Sequence, residues 1–199
     1  MRTMKMMGCA LATAVLMAAG CRHSNTVDKD AFKTALNDYY RTRQVCLWDG
    51  SIKLPAQADT GKDDETRQFD ALTDAGLFTR MPTEKKRFLV GSKSVTNYDL
   101  TSNGRSYWTA NSAQPGYGNF CLGTRKVDSI LAYSPPEASA PTYTVNYHFS
   151  VPAPDWANNA EIKTAFPKIA NDIMGANASA RITRTDAGWQ VANVQDGGQ

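Results

Sequence analysis

Apolar residues recur with the spacing of an α-helix from Asp28 onward. The stripe falls at i, i+3, i+4 and i+7 and consists of Phe32, Ala35, Leu36 and Tyr39. Acidic residues lie near its start and arginines follow it, an order that the helix dipole favours. The pattern predicts a helix that begins at residue 28 and ends near Cys46.

A second helix is predicted over residues 63–75, where acidic residues occupy the first turn. Gly76 and Leu77 follow it and are typical of a helix that ends on a glycine cap with an apolar contact. Residues 85–100 predict one or two strands. The segment 111–119 is rich in proline and glycine, which predicts a loop between two halves of the chain.

The second half alternates strand and helix patterns. Residues 121–133 predict a strand, and residues 143–149 alternate apolar and polar side chains as a half-buried strand does. Residues 158–174 have helical spacing, and Pro167 within them is expected to kink the helix or to begin a second one. A turn at 186–188 then joins two strands. This half is predicted as hairpin, helix, hairpin, with the helix packed on an antiparallel sheet.

The strand patterns also predict which side chains are buried. On the first of these strands, Val127, Leu131 and Tyr133 are expected to share one face. On the next strand, Tyr147 belongs to the apolar face and is expected to be buried. His148 belongs to the polar face of the same strand and is expected to be exposed or partly covered.

The beginning of the chain has the order of a bacterial export signal. A basic head (Arg2 and Lys5) precedes an uncharged run of 15 residues. The run is too short to cross a bilayer, which needs about 20 residues, but it suits a signal peptide. The run ends in a sequence that resembles the lipobox of bacterial lipoproteins, although its first residue is smaller than the usual leucine: Ala18-Ala19-Gly20-Cys21.

The lipobox resemblance implies cleavage of residues 1–20, a lipid on Cys21 and a polar tether over residues 21–27. In that family an aspartate after the lipidated cysteine retains the protein at the inner membrane. Arg22 therefore implies the periplasmic face of the outer membrane. The alternative is an ordinary cleaved signal peptide in which Cys21 is incidental.

Two further cysteines, Cys46 and Cys121, lie in the exported part of the chain. The periplasm is oxidising, so this pair predicts a disulfide; the alternative is two buried free thiols. Arg2 and Lys5 contribute to the formal charge of +3, so the chain after residue 20 carries +1. A nearly neutral domain argues against nucleic acid as its partner.

Residue types that carry catalysis or bind metals are scarce. The chain has two histidines, His23 and His148, and no C-x-x-C or H-E-x-x-H motif. A Ser-His-acid triad would need His148, without a G-x-S-x-G turn to present the serine. The four tryptophans are expected to pack in or beside the core rather than to line a groove. The sequence predicts no catalytic, cofactor or metal site.

One local pattern resembles a known family. Residues 71–77 (ALTDAGL) and 98–107 (YDLTSNGRSY) are similar to the end of the recognition helix and the wing of winged-helix domains. The resemblance implies a scaffold rather than DNA binding. The helix over 63–75 carries four acidic residues before residue 71 against the single Arg67, and such a helix repels phosphate.

Together these features predict an α+β protein with four segments. They are a signal peptide (1–20), a lipidated tether (21–27), a winged-helix-like half (28–118) and a hairpin-helix-hairpin half (119–199). The bridge Cys46–Cys121 is expected to tie the first helix of one half to the first strand of the other.

Two functions are compatible with the sequence. The first is a non-catalytic binding or interaction module of the cell envelope, held on the membrane through Cys21 and partnered by an envelope protein. The second is an envelope-directed hydrolase or a small-ligand-binding protein. Because the sequence shows no catalytic constellation, it favours the first. A deep cleft lined by convergent polar groups would favour the second, and a flat apolar patch the first.

Overall fold

The structure, a computed structural model, describes residues 28–59, 64–87, 91–134 and 141–196. Within these residues helices and strands form a mixed α+β fold in which the paired strands are antiparallel, as the sequence predicts. The helices are α1 (Lys29–Tyr40), α2 (Asp64–Asp74), α3 (Ser102–Tyr107), α4 (Ala160–Ala165) and α5 (Pro167–Met174), with a 3-10 turn over Asp155–Asn158. The strands are β1 (Gln44–Cys46), β2 (Ile52–Lys53), β3 (Ala56–Asp59), β4 (Phe78–Arg87), β5 (Gly91–Leu100), β6 (Trp108–Ala110), β7 (Tyr117–Thr124), β8 (Lys126–Ser134), β9 (Thr142–Ser150), β10 (Ala176–Thr185) and β11 (Gly188–Asp196).

Three sheets organise the described residues. One has the strand order β11-β10-β9-β8, another the order β3-β5-β4, and in the remaining one β7 pairs with β1, β2 and β6. Two clusters of buried side chains accompany them. The first joins α2, α4 and α5 to β4, β5 and β7, and the second lies between α1 and the sheet β8–β11. Each cluster contains residues from before and from after residue 118. The division of the chain into two halves at that point therefore stays a prediction.

The helix that covers the sheet β8–β11 is α1. Its Phe32 and Leu36 are fully buried in the second cluster. The prediction that the 158–174 helix packs on this sheet holds only where α5 contacts β9, because Ile162 and Phe166 are buried in the first cluster, where α4 packs against α2. Pro167 begins the separate helix α5, one of the two outcomes that its missing N–H allows.

Helix α1 is shorter than its pattern predicts. It begins after Asp28, whose side chain accepts a hydrogen bond from Asp30 N, and it ends at Tyr40. The prediction that the helix continues to Cys46 is wrong, because Cys46 lies on strand β1 and pairs with Cys121 of β7. Residues 44–46 pair with strand β7 instead of continuing the helix.

The predicted strand 121–133 is two strands with Arg125 between them. In β8 the pairing register shifts twice, which interrupts the alternation of inward and outward side chains. Ile130 is therefore buried, and Leu131 is 48% exposed. The prediction that Leu131 shares the buried face of Val127 is wrong. The pattern of β9 is confirmed, since Tyr147 is fully buried and His148 is half-buried.

The contact between the end of α2 and the start of α3 explains the pattern that resembles a winged-helix domain. Gly76 adopts a positive φ of 72° and Leu77 N donates to Leu72 O, so α2 ends on the predicted glycine cap. Thr101 Oγ1 donates to Gly76 O at 2.8 Å and accepts from Gly104 N at 2.8 Å. A Cβ on Gly104 would lie 2.0 Å from Leu77 O, so only glycine fits there.

Candidate functional site

A cleft of ≈ 620 Å³ opens between the end of α1, the segment that follows it, α5 and the end of β11. Its volume falls in the range of about 300–1,000 Å³ that is common for small-molecule sites. Its walls combine aromatic, amide and charged side chains, among them Tyr39, Arg43, Trp48, Asn119, Lys168 and Asp196. We consider this cleft as the candidate functional site.

Arg125 lies between two carboxylates in the wall of the cleft. Its Nη2 donates to Asp172 Oδ2 at 3.1 Å and to Asp196 Oδ2 at 3.2 Å, and its Nη1 donates to the other Asp196 oxygen. The guanidinium carbon also lies 4.3 Å from the ring centroid of Phe149. The side chains of Arg125 and Asp172 are only 12% and 8% exposed. We refer to Arg125, Asp172 and Asp196 as the Arg125 cluster.

The three members of the Arg125 cluster lie on segments that are far apart in the sequence. Arg125 occupies the break between β7 and β8, Asp172 lies on α5, and Asp196 ends β11. The main-chain oxygen of Asp172 also accepts a hydrogen bond from Val151 N at 2.9 Å. Because α5 contributes to the first buried cluster and β8 and β11 to the second, the Arg125 cluster links the two.

Burial and charge oppose each other in the Arg125 cluster. Burial lowers the pKa of Arg125, but hydrogen bonds to Asp196 and Tyr40 and the two carboxylate charges outweigh it and hold that pKa above its ordinary value. Burial raises the pKa of Asp172, and Arg125 offsets only part of that rise. Among the groups that lower this pKa, Arg125 contributes most. The charged form of Asp172 therefore depends on Arg125.

One wall of the cleft is fixed by an amide and a disulfide. Asn119 Nδ2 donates to the main-chain oxygens of Trp48 at 2.7 Å and Gly50 at 2.9 Å, and its Oδ1 accepts from Trp48 N. The bridge between Cys46 and Cys121 joins two residues that are already paired across β1 and β7. These contacts hold the segment after β1 against β7.

The mouth of the cleft carries exposed charges of both signs. Lys168 Nζ donates to Asp49 Oδ1 at 3.1 Å. The guanidinium carbon of Arg43 lies 3.7 Å from the ring centroid of Tyr39 and its Nη1 donates to the Tyr39 main-chain oxygen. Three cationic and three anionic side chains line the cleft as a whole: Arg43, Arg125, Lys168, Asp49, Asp172 and Asp196. A strongly charged polymer is therefore a poor match for it.

Only some of the residues singled out from the sequence line this cleft. Cys46 and Cys121 form the predicted disulfide and line the cleft, whereas Cys21 lies outside the described residues. His148 lies elsewhere: its Nδ1 is 3.2 Å from Asp128 Oδ2 on the polar face of β9. Trp48 is half-buried and lines the cleft, whereas Trp156 is buried in the core.

The described residues lack two features. Over 28–59, 64–87, 91–134 and 141–196, no helix has the length and apolar character needed to cross a membrane. The same part of the chain holds no group of three or more His, Cys, Asp or Glu side chains that could bind a metal ion.

Sequence patterns gave no indication of the Arg125 cluster. Its three members are 47 and 24 residues apart along the chain, from Arg125 to Asp172 and from Asp172 to Asp196. The available signal is the run Thr124-Arg125-Lys126, which interrupts the apolar alternation of the predicted strand 121–133. That run predicts a break between strands but names no partner for the arginine.

Comparison of the chain with protein-family models, with curated proteins and with solved structures finds no match.

Proposed function

We propose that this chain is an exported lipoprotein whose folded part binds a ligand in the cleft without catalysing a reaction. In this proposal the lipid on Cys21 holds the protein on the periplasmic face of the outer membrane. The observation that carries the binding role is the cleft itself, with a volume of ≈ 620 Å³ and a wall fixed by Asn119 and the disulfide. A preformed wall lowers the ordering cost of binding.

The cleft accepts either a small molecule or a protruding segment of an envelope protein, since both can enter a concave polar site. By the criterion given above, a polar cleft favours the second hypothesis, a small-ligand-binding protein or a hydrolase, and hydrolysis is considered because Asp172 and Asp196 are two carboxylates in one cleft. Both, however, accept hydrogen bonds from the same guanidinium. The oxygens of both carboxylates are therefore already hydrogen-bonded to Arg125. General acid–base catalysis needs a carboxyl that can exchange a proton with the substrate. This contact favours binding over hydrolysis.

A photo-cross-linker in the cleft should capture the ligand. We expect p-benzoylphenylalanine at Thr109, an exposed residue of the cleft lining, to form an adduct in cells. The same cross-linker at Thr144, an exposed residue of β9 that lies outside the cleft, should form no adduct. Mass spectrometry measures the adduct: a small mass increment indicates a small molecule, and a tryptic partner peptide indicates a protein. Equal adducts at both positions, or none at Thr109, would contradict a binding role for the cleft.

The membrane anchor depends on Cys21, in the segment Ala18-Ala19-Gly20-Cys21. Several acyl chains on one residue hold a protein firmly, since each buried CH₂ contributes about 0.8 kcal/mol. We expect mass spectrometry to find an acylated cysteine at the mature N-terminus. Cys21→Ser should move the protein from the membrane to the soluble fraction, whereas Cys9→Ser within the signal peptide should not. A Cys21→Ser protein that stays with the membrane would contradict the anchor.

We further propose that β3, α2, the β4–β5 hairpin and α3 are a winged-helix-like scaffold that binds no nucleic acid. The order of helix, hairpin and the Thr101–Gly104 contact supports the scaffold. Charge and packing support the absence of DNA binding: Asp64 and Glu65 open α2, and α4 packs against this helix.

Fluorescence anisotropy with duplex and single-stranded DNA tests the lack of nucleic-acid binding on the unlipidated protein. At about 50 mM salt, where electrostatic binding is strongest, we expect no binding at micromolar protein. Low salt gives the opposing hypothesis its best chance. Micromolar binding that weakens steeply as salt is added would show that this scaffold reads phosphate after all.

A further inference from the structure

Partly exposed aromatic rings surround Phe32 at one end of the second buried cluster. The ring centroids of Tyr133 and Tyr143 each lie 5.4 Å from that of Phe32, and the centroid of Trp189 lies 4.9 Å away. Tyr143 and Trp189 also contact each other, with centroids 5.4 Å apart. Phe32 is fully buried, whereas Tyr133 is 37% exposed and the other two are half-buried. We call Tyr133, Tyr143 and Trp189 the aromatic end.

The aromatic end lies where α1 begins, and the cleft lies where α1 ends. Lys29, the first residue of α1, donates from Nζ to Ile130 O, which fixes the start of the helix beside the middle of β8. Tyr39 and Tyr40, at the other end of α1, line the cleft. The seven residue steps from Phe32 to Tyr39 rise about 10 Å along the helix axis, so the two sites lie at different ends of α1.

The chain that leads to Cys21 leaves from the aromatic end. Six residues, 22–27, lie between the proposed lipid attachment at Cys21 and Asp28, the first described residue, and the chain from Cys21 to Asp28 can span at most about 25 Å. A lipid on Cys21 therefore keeps the aromatic end within reach of the bilayer. Tyrosine and tryptophan are enriched at membrane–water interfaces, because their rings are apolar and their O–H and N–H groups bond to water or headgroups.

We propose that the aromatic end contacts the headgroup region of the membrane that holds Cys21, so that the cleft faces away from the bilayer. This inference rests on the proposed lipid anchor. It deepens that proposal by assigning an orientation: a ligand would approach the cleft from the periplasmic space rather than from the lipid.

Charge near the aromatic end makes the contact independent of anionic lipid. The guanidinium carbon of Arg184 lies 5.7 Å from the ring centroid of Trp189, and Lys29 is nearby on α1. The acidic residues in the same region are Asp28 and Asp30 at the start of α1 and Asp186 in the β10–β11 turn. Because charges of both signs lie here, with Lys33 also on α1, we assign the contact to the aromatic rings rather than to electrostatic attraction.

Quenching of tryptophan fluorescence by brominated lipid tests the orientation. The lipidated protein is reconstituted into phosphatidylcholine vesicles with or without lipid brominated near the headgroups. We expect the brominated lipid to quench the wild-type emission and Trp189→Phe to lose that quenching. Trp48→Phe is the matched control, because Trp48 is also half-buried but lies in the cleft. It should keep the quenching. Phenylalanine retains a ring against Phe32, and circular dichroism checks that each variant is folded.

The outcomes separate the orientation from the anchor. Protein that does not sediment with the vesicles would remove the anchor and the orientation with it. Protein that sediments but is not quenched by brominated lipid, or loses quenching in Trp48→Phe and not in Trp189→Phe, would overturn the orientation alone. Quenching that requires anionic lipid or disappears at high salt would overturn the aromatic basis of the contact. Quenching that persists in neutral vesicles and depends on Trp189 supports it.

Discussion

Replacing Arg125 with methionine is expected to lower the free energy of unfolding by about 3–5 kcal/mol, the loss typical when one partner of a buried ion pair is removed. The reason is that Asp172, whose side chain is 8% exposed, would lose the guanidinium that stabilises its charged form. Asp196 would also lose its partner but is 58% exposed, so water can solvate it. Urea denaturation at neutral pH measures the loss.

The matched variant removes the stranded charge as well. Arg125→Met combined with Asp172→Asn should recover much of the lost stability, because a neutral amide is far less costly to bury than a carboxylate. Asp172→Asn alone should cost less than Arg125→Met, since Arg125 would keep Asp196. If the double variant is as unstable as Arg125→Met, packing of the arginine rather than its charge explains the effect.

The pH dependence of the Arg125→Met defect has a definite sign. Burial raises the pKa of Asp172 in the folded protein and Arg125 offsets part of the rise, so its removal should raise that pKa further. A carboxyl with a raised folded-state pKa binds its proton more tightly in the folded than in the unfolded chain. Its contribution to stability is therefore complete below the unfolded pKa of about 3.9 and is lost as pH rises through the folded value. The loss of stability caused by Arg125→Met should therefore shrink as the pH falls from neutral towards the unfolded-state pKa of Asp172.

Tyr147→Ala is expected to lower the free energy of unfolding by about 3–5 kcal/mol, as truncation of large core side chains does. Tyr147 is fully buried, and its hydroxyl oxygen lies 2.6 Å from that of Tyr40 in a hydrogen bond. Burial, with the contact to Tyr40, also raises the pKa of Tyr147, so the ring stays neutral. Thermal or urea unfolding measures the loss, and Tyr147→Phe should lose less because it keeps the ring.

The adjacent residue provides the control for this prediction. His148 is half-buried on the opposite face of β9, and its bond to Asp128 is partly solvated. His148→Ala should therefore change stability by no more than about 0.5 kcal/mol, as is usual for surface positions. A larger loss for His148→Ala than for Tyr147→Ala would mean that the two faces of the strand have been exchanged.

The elements that could be predicted from the sequence are those whose signals lie close together in the chain. The alternation in β9 predicts its buried face because a strand turns its side chains to opposite sides at each residue. Gly76 and Leu77 predict the end of α2 because only a few neighbouring atoms decide a glycine cap. The Cys46–Cys121 disulfide was predictable without any geometry, from an even pair of cysteines in a chain that the sequence predicts to be exported.

Other features were decided by contacts between distant segments. The apolar stripes of α1 and α4 are similar locally, and nothing in either stripe determines which sheet it covers. The register shifts that bury Ile130 and expose Leu131 arise from pairing with β9 and leave no mark in the alternation of β8 alone. Hydrophobic burial is non-directional, so a stripe predicts that a face is covered but not by which element.

The sequence by itself determined the mixed α+β class and the disulfide pair, and the export signal with Cys21 stays a prediction. Only the tertiary structure decided that α1 covers the sheet β8–β11, that Arg125 meets Asp172 and Asp196, and that a cleft forms beside them. The physical reason is that periodicity and caps depend on neighbours within a few residues. A cleft and a buried ion pair depend on which surfaces meet after the chain has folded.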